Sequence, residues 1–178
     1  MNKLDILGSH ISTGSYETFV EEIVGKGKRQ ESSYVCVANV HMVMEAHKDL
    51  EFRKILNEAD ITTPDGMPLV KGMKMLYGRE QDRVAGMDLL PSLLQEAEAR
   101  AMSVYFFGGT DEVLGKITER ARKEFPQLHI AGAYSPPFRK LSEDEENEII
   151  RNINEANPHL LFVALGCPKQ EKWMARHV

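Results

Sequence analysis

What most constrains this chain is the order in which two hydrophobic periodicities alternate along it. Short apolar or β-branched runs stand at Tyr34–Ala38, Asp60–Thr63, Ser103–Phe107, Leu128–Ala133 and His159–Leu165. Each is too short to be a helix of ordinary length, and each is followed by residues with helical apolar spacing. After Tyr34–Ala38 come Val40, Val43, Met44, Phe52, Ile55 and Leu56; after Ser103–Phe107 come Val113, Leu114, Ile117 and Ala121. Strand and helix patterns that alternate almost throughout predict an α/β architecture, a mostly parallel Rossmann-like sheet flanked by helices. At 178 residues, and with roughly 100 to 200 residues per domain, residues 1–178 are expected to form a single domain.

Local signals place the boundaries. Leu4–Leu7 reads as a short strand, and Ser12 or Thr13 as the cap of a helix from Tyr16 to Val24 that Gly25 and Gly27 would break. Asn39 stands where an N-cap belongs. Pro64-Asp65-Gly66 is a turn signature before the helical spacing of Met67, Leu69, Val70, Met73 and Leu76. Asp88 is the expected cap of a helix from Leu89 to about Ala101, and Thr110 or Asp111 that of the helix after Gly108-Gly109. Ser142 and Glu145 have capping-box spacing. A short helix-like tail follows Gly166-Cys-Pro-Lys-Gln170.

Composition removes several classes of function. The net charge of −5 gives no general attraction to nucleic acid, so any phosphate-binding role has to be local. No apolar run approaches the roughly 18 residues of a spanning helix, and the N-terminus lacks the apolar stretch of a signal peptide, which predicts a cytoplasmic chain. Cys36 and Cys167 sit in apolar surroundings and are expected to be reduced thiols rather than a disulfide or a zinc site. His41 and His47, six apart, lack metal-ligand spacing; the acidic run Glu143–Glu146 suits the positive end of a helix dipole; and the nine methionines suit core gap-filling.

In open parallel sheets ligands bind beyond the carboxyl ends of strands. The residues there are Asn39, Asp65, Gly108-Gly109-Thr110, Tyr134 and Pro168-Lys169-Gln170. Gly108 and Gly109 before a helix start would let backbone amides approach an anion, but tight-turn packing explains the pair equally, and neither G-x-G-x-x-G nor a Walker pattern is present. Their absence argues against a dinucleotide-binding dehydrogenase domain. Asp65, on a tight turn at a strand end, has the rigidity a general base requires, and also fits a turn-stabilising or capping aspartate. Arg83 is a forked cation suited to phosphate, or a surface partner of Asp88.

Taken together, Asn39-Val-His-Met-Val-Met44, Ile61-Thr-Thr-Pro-Asp-Gly66, Arg83-Val-Ala-Gly-Met-Asp88, Phe106-Phe-Gly-Gly109 and Leu161-Phe-Val-Ala-Leu-Gly-Cys-Pro-Lys-Gln-Glu-Lys-Trp173 occur in an order that resembles the WecG/TagA/CpsF glycosyltransferases, glycosyltransferase family 26. The resemblance spans Leu4 to Trp173. It implies inverting transfer of N-acetylmannosamine, or its uronic acid, from UDP to N-acetylglucosamine on undecaprenyl diphosphate, in the synthesis of teichoic acid or another surface polysaccharide. It also implies Asp65 as the base that deprotonates the acceptor hydroxyl, with Asn39, Arg83 and Gln170 in the donor pocket. Lys169, the Gly108 and Gly109 amides and Tyr134 complete the expected substrate-binding set. With Arg83 available for the departing diphosphate, no obligatory metal and no cofactor are expected.

Two departures qualify the resemblance. Val37 occupies a position, two before Asn39, where some members carry threonine, so a hydroxyl contact there is absent or supplied otherwise. The family's chain also continues past the Lys-Gln-Glu-Lys-Trp block into a basic, amphipathic segment that docks on the membrane, whereas this sequence stops at Val178. The expectation is a peripheral protein of the inner membrane face whose docking segment is missing from residues 1–178, with weak or no turnover by these residues alone. Association into a homo-oligomer is left open, and a non-catalytic nucleotide-binding α/β module is the alternative reading.

Overall fold

A computed structural model describes residues 1–178, which form seven strands and eight helices. In the first half of the chain these are β1 (Lys3–Ile6), β2 (Ser9–Ser12), α1 (Tyr16–Lys28), β3 (Val35–Ala38), α2 (Val40–Lys48), α3 (Leu50–Glu58), β4 (Ile61–Pro64) and α4 (Met67–Tyr77). There follow α5 (Gly86–Ala99), β5 (Ser103–Gly108), α6 (Asp111–Glu124), β6 (His129–Tyr134), α7 (Glu143–Ala156), β7 (Leu160–Ala164) and α8 (Lys169–His177). The α/β expectation is borne out. The elements form two compact units, one of residues 1–92 and 166–178, the other of residues 93–165.

In the first unit β3 and β4 pair in parallel with Ala38 opposite Pro64, while β1 and β2 form an antiparallel hairpin with Lys3 opposite Ser12. The sequence pattern had shown only the first arm of that hairpin. Its turn depends on Leu7 and Gly8, both with positive φ, and on Asp5 Oδ1 accepting the Gly8 N–H at 3.0 Å. A buried hydrogen bond of 3.0 Å from the Thr62 N–H to Ser12 Oγ fastens β2 beside β4. Because Ser12 is spent there, Ser15 caps α1, accepting from the Thr18 N–H. That helix does not break at Gly25; Phe19, Val20, Ile23, Val24 and Gly27 form one buried stripe to its last turn. Burial of such a stripe outweighs the roughly 1 kcal/mol that each interior glycine costs.

The apolar spacing after Asn39 likewise belongs to two helices. Asp49 ends α2 and caps α3, its carboxylate accepting the N–H groups of Glu51 and Phe52 at 3.0 and 3.1 Å. The core of this unit gathers Ile6, Ile11, Cys36, Ala38, Met42, Phe52, Leu56, Leu69 and Met73, and Met174 and Ala175 of α8 pack against it. No helix is long and apolar enough to cross a membrane.

The second unit is a parallel sheet in the order β6-β5-β7. All six residues of the central strand β5 are buried, as a strand covered on both faces requires. Phe106 stacks on Phe162 of β7 at 5.6 Å, and His159 Nδ1 accepts the Ser103 N–H at 3.0 Å where the two strands begin. The capping box at Ser142 and Glu145 is present, as is the Thr110 cap of α6.

Gly108 ends β5 at φ +111°, and a Cβ there would lie 2.3 Å from the Ala164 carbonyl oxygen. Gly108→Ala is therefore expected to destabilise the protein by about 2 to 4 kcal/mol. Gly115→Ala, at a helical position with open space around it, should instead stabilise by about 0.5 to 1 kcal/mol. Denaturant unfolding of the two variants checks both signs.

Candidate active site

The parallel pairing of β3 and β4 delivers Asn39 and Asp65 side by side, each one residue past the paired ends Ala38 and Pro64. The Asp65 N–H continues the ladder by donating to the Ala38 carbonyl at 2.7 Å. Immediately beyond, Gly66 takes φ +103°, a conformation that reverses the chain into α4 and excludes a β-carbon at low cost. The Pro-Asp-Gly turn thus fixes the backbone of Asp65 from both sides.

A second segment is laid against the same strand end. The Val84 N–H donates to the Pro64 carbonyl at 3.0 Å, and Thr63 Oγ1 donates to the Val84 carbonyl at 3.0 Å. Gln81, buried, exchanges hydrogen bonds with the backbone of Gly14, and Asp82 accepts the Tyr16 N–H at 2.9 Å. These contacts hold Arg83 where its charge acts on Asp65. Tyr16 Oη donates to the Asp88 carbonyl at 2.8 Å, steadying the start of α5.

Asp65 is half-buried, and burial raises its carboxyl above the ordinary carboxylate range. The Arg83 guanidinium opposes that rise and the Asp88 carboxylate adds to it. Arg83 itself donates from Nη2 to Asp88 Oδ2 at 2.6 Å, and this pair is 39% and 49% exposed. An ion pair so exposed contributes little to stability, on the order of 1 kcal/mol or less, so an incoming anion can compete for the arginine. Asp88 does not cap α5, as its position in the sequence suggests; the helix begins at Gly86 and the carboxylate lies in its first turn, turned to Arg83.

Asn39 caps α2, its Oδ1 accepting the Met42 N–H at 3.0 Å, which leaves its amide nitrogen available on an exposed side chain. Val37, beneath it on β3, faces Gly86, whose added Cβ would come within 3.7 Å of Val37 Cγ1. In α8 Lys169 is exposed at the first position, while Gln170 accepts the Gly166 N–H at 3.1 Å and donates to Glu171 Oε1 at 2.7 Å. Asn39, Asp65, Arg83, Lys169 and Gln170 all belong to the first unit.

Gly108, Gly109 and Tyr134 belong to the second. There the Gly109 N–H donates to the Ala164 carbonyl at 3.0 Å and the Gly109 carbonyl accepts from Ser135 Oγ at 2.8 Å, so the glycine pair is engaged in closing the strand ends. Tyr134, exposed, stacks on Phe107. Two open surface hollows, along α1 and between α6 and β6, include none of these residues.

One buried residue escaped the sequence reading: Glu171, with no exposed surface. The signal was available, because Cys167, Glu171, Met174 and Ala175 recur at helical spacing and place a carboxylate on the apolar face of α8. Both cysteines are free thiols; burial, followed by the charge of Glu171, pushes Cys167 up to about 12.

Residues 4–178 match the Glycosyl transferase WecG/TagA/CpsF family, and the chain belongs to it. Among its relatives is an N-acetylglucosaminyldiphosphoundecaprenol N-acetyl-beta-D-mannosaminyltransferase of Bacillus spizizenii, 30% identical over 99% of this chain and 65% of the relative. The proteins of the same name from Bacillus subtilis and Staphylococcus aureus are 29% and 25% identical, over 79% and 98% of this chain and 53% and 68% of their own lengths. The chain thus spans between about half and two thirds of the length of these relatives.

Because burial and Asp88 raise the Asp65 carboxyl and Arg83 lowers it, Arg83→Ala should move its titration further up and Asp88→Asn should move it down. A carboxyl-detected NMR titration reads both shifts. By linkage, a raised carboxyl favours the folded state below its ordinary value near 3.9 and loses that contribution as pH rises through the folded-state value.

Proposed function

We propose that this chain carries the donor site and catalytic base of an inverting glycosyltransferase that moves N-acetylmannosamine from UDP to N-acetylglucosamine linked to undecaprenyl diphosphate. The observation that carries the reading is Asp65: a carboxylate held by the Pro-Asp-Gly turn at a strand end, raised by burial, with a guanidinium beside it. The names of the family relatives supply the acceptor and the sugar; the chemistry of the site fits both.

A single displacement needs a base at the attacking hydroxyl and positive charge at the departing diphosphate. Asp65 accepts the proton of the acceptor hydroxyl as its oxygen attacks the anomeric carbon, and the bond from that carbon to the UDP oxygen breaks. Inversion follows from attack on the face opposite the leaving group. Arg83 exchanges its exposed Asp88 partner for the diphosphate, which matches a planar fork of N–H donors better than a single carboxylate does. In this reading Arg83 and Lys169 answer the charge of the leaving group without an obligatory metal, and Asn39 and Gln170 offer amide donors to the nucleotide sugar. The acceptor carries a polyprenyl chain, so the reaction belongs at a membrane surface, and we place it on the cytoplasmic face, where a nucleotide sugar is available.

In a protein of the relatives' full length, where transfer to a lipid-linked acceptor can be followed, Asp65→Asn should lower it by about 10²- to 10⁴-fold while leaving calorimetric UDP affinity within about threefold. Arg83→Ala should abolish saturable UDP binding, with NAD as a ligand that binds neither protein. Undiminished transfer by Asp65→Asn would overturn the assignment of the base; binding of NAD in place of UDP would overturn the transferase reading as a whole.

A further inference from the structure

Glu171 is the largest buried charged side chain, and nothing in the proposed chemistry employs it. A carboxylate removed from water costs several kcal/mol unless a cation or several donors answer it. No basic side chain pairs with Glu171. Oε1 accepts from Gln170 Nε2 at 2.7 Å, Oε2 makes no hydrogen bond of good geometry, and the remaining neighbours are the thiols of Cys167 and Cys36 and the apolar core beneath α8. An apolar residue of the same size would be the more stable occupant, so packing does not account for this carboxylate.

From this arrangement we infer that Glu171 is a positioning residue: it holds the side-chain amide of Gln170 in one orientation, so that Gln170 meets its ligand as a hydrogen-bond donor. A carboxylate only accepts, so the amide nitrogen of Gln170 must face Glu171 and its oxygen must face the Gly166 N–H, as observed at 3.1 Å. The main chain closes the same turn, the Gln170 N–H donating to the Gly166 carbonyl at 3.0 Å. The side chain retains one N–H beyond the one given to Glu171, and that N–H would meet a hydrogen-bond acceptor such as a nucleobase carbonyl, a sugar hydroxyl or a diphosphate oxygen. On balance burial raises the Glu171 carboxyl, and the hydrogen bond from Gln170, followed by its own backbone N–H and the Cys167 thiol, opposes that rise.

The inference rests on the donor-pocket reading of Gln170, and the test separates the two. In the unaltered chain the side-chain amide protons of Gln170 should exchange with solvent about tenfold or more slowly than those of an exposed glutamine, because Nε2 is held by Glu171 Oε1. Exchange as fast as that of an exposed glutamine would overturn the positioning directly, whether or not any variant folds. Glu171→Met, which removes the acceptor at similar volume, should weaken UDP binding about tenfold while raising the thermal midpoint at neutral pH. Glu171→Gln keeps a carbonyl acceptor and should stay within about threefold of the unaltered affinity. A merely structural role would make affinity follow stability; here the two move in opposite directions in the methionine variant. Glu171→Met binding UDP as tightly as the unaltered chain overturns this inference and leaves the transferase reading standing. Failure of the unaltered chain to bind UDP overturns that reading and the ligand role of Gln170 with it.

Discussion

The hydrogen bond from the Asp65 N–H to the Ala38 carbonyl, with the Val84 N–H on the Pro64 carbonyl beside it, is the constraint on which the site depends. These two bonds extend a parallel ladder one residue past the end of its strand, and they do so where a proline and a positive-φ glycine flank an aspartate. The backbone of Asp65 is thereby fixed before any side-chain contact is considered. Rigidity of this kind is what a base needs, since a displacement of about an ångström at the reacting group is costly in rate. The cation that acts on Asp65, Arg83, comes from a loop rather than a helix. Residues 83–85 have no periodic structure of their own and borrow their conformation from Thr63 and Pro64 of the strand, with Gln81 and Asp82 anchoring the same stretch to Gly14 and Tyr16.

Within that frame the charges are arranged in competition. Arg83 lies between the field of Asp65, which it holds down, and the carboxylate of Asp88, to which it is bonded. Because the bonded pair is exposed, it adds little to stability and yields readily. The consequence is directional: a ligand anion that draws Arg83 from Asp88 adds negative charge near Asp65 and further favours the protonated form of that carboxyl. In the proposed reaction, acceptance of a proton by Asp65 would thus be easier with a diphosphate in place, coupling base strength to donor occupancy through one guanidinium.

The sequence pattern carried the strands and helix starts wherever a single local signal decided them: the apolar runs of β5 and β7, the capping box at Ser142, the Asn39 cap. It misplaced elements where two local signals competed and a tertiary contact chose between them. Ser12 has the chemistry of a cap, but its hydroxyl is spent on Thr62, so the cap falls to Ser15. Gly25 has the chemistry of a break, but the stripe from Phe19 to Gly27 keeps α1 intact. For the site, Asp65 and its turn were legible because the Pro-Asp-Gly constraint is local. The Gly108–Gly109 pair was ambiguous in sequence, since anion binding and strand closure demand the same residue, and its hydrogen bonds here go to strand closure.

Glu171 shows how a periodic signal is outweighed by its polar local context. A glutamate in Lys-Gln-Glu-Lys looks like a solvated helix face, and only the packing of Met174 and Ala175 on the core turns that position inward. Once inward, the carboxylate lowers stability relative to an apolar residue, and it loses further ground as pH rises through its raised value. Its neighbour Gln170 has two hydrogen-bonding groups and two partners of opposite kind, Gly166 N–H and Glu171 Oε1, so the orientation of the amide is decided rather than averaged. The same geometry that lowers stability removes an ambiguity at a strand-end side chain. A site built on fixed donors is one setting in which a destabilising buried charge and a well-defined amide belong to the same solution.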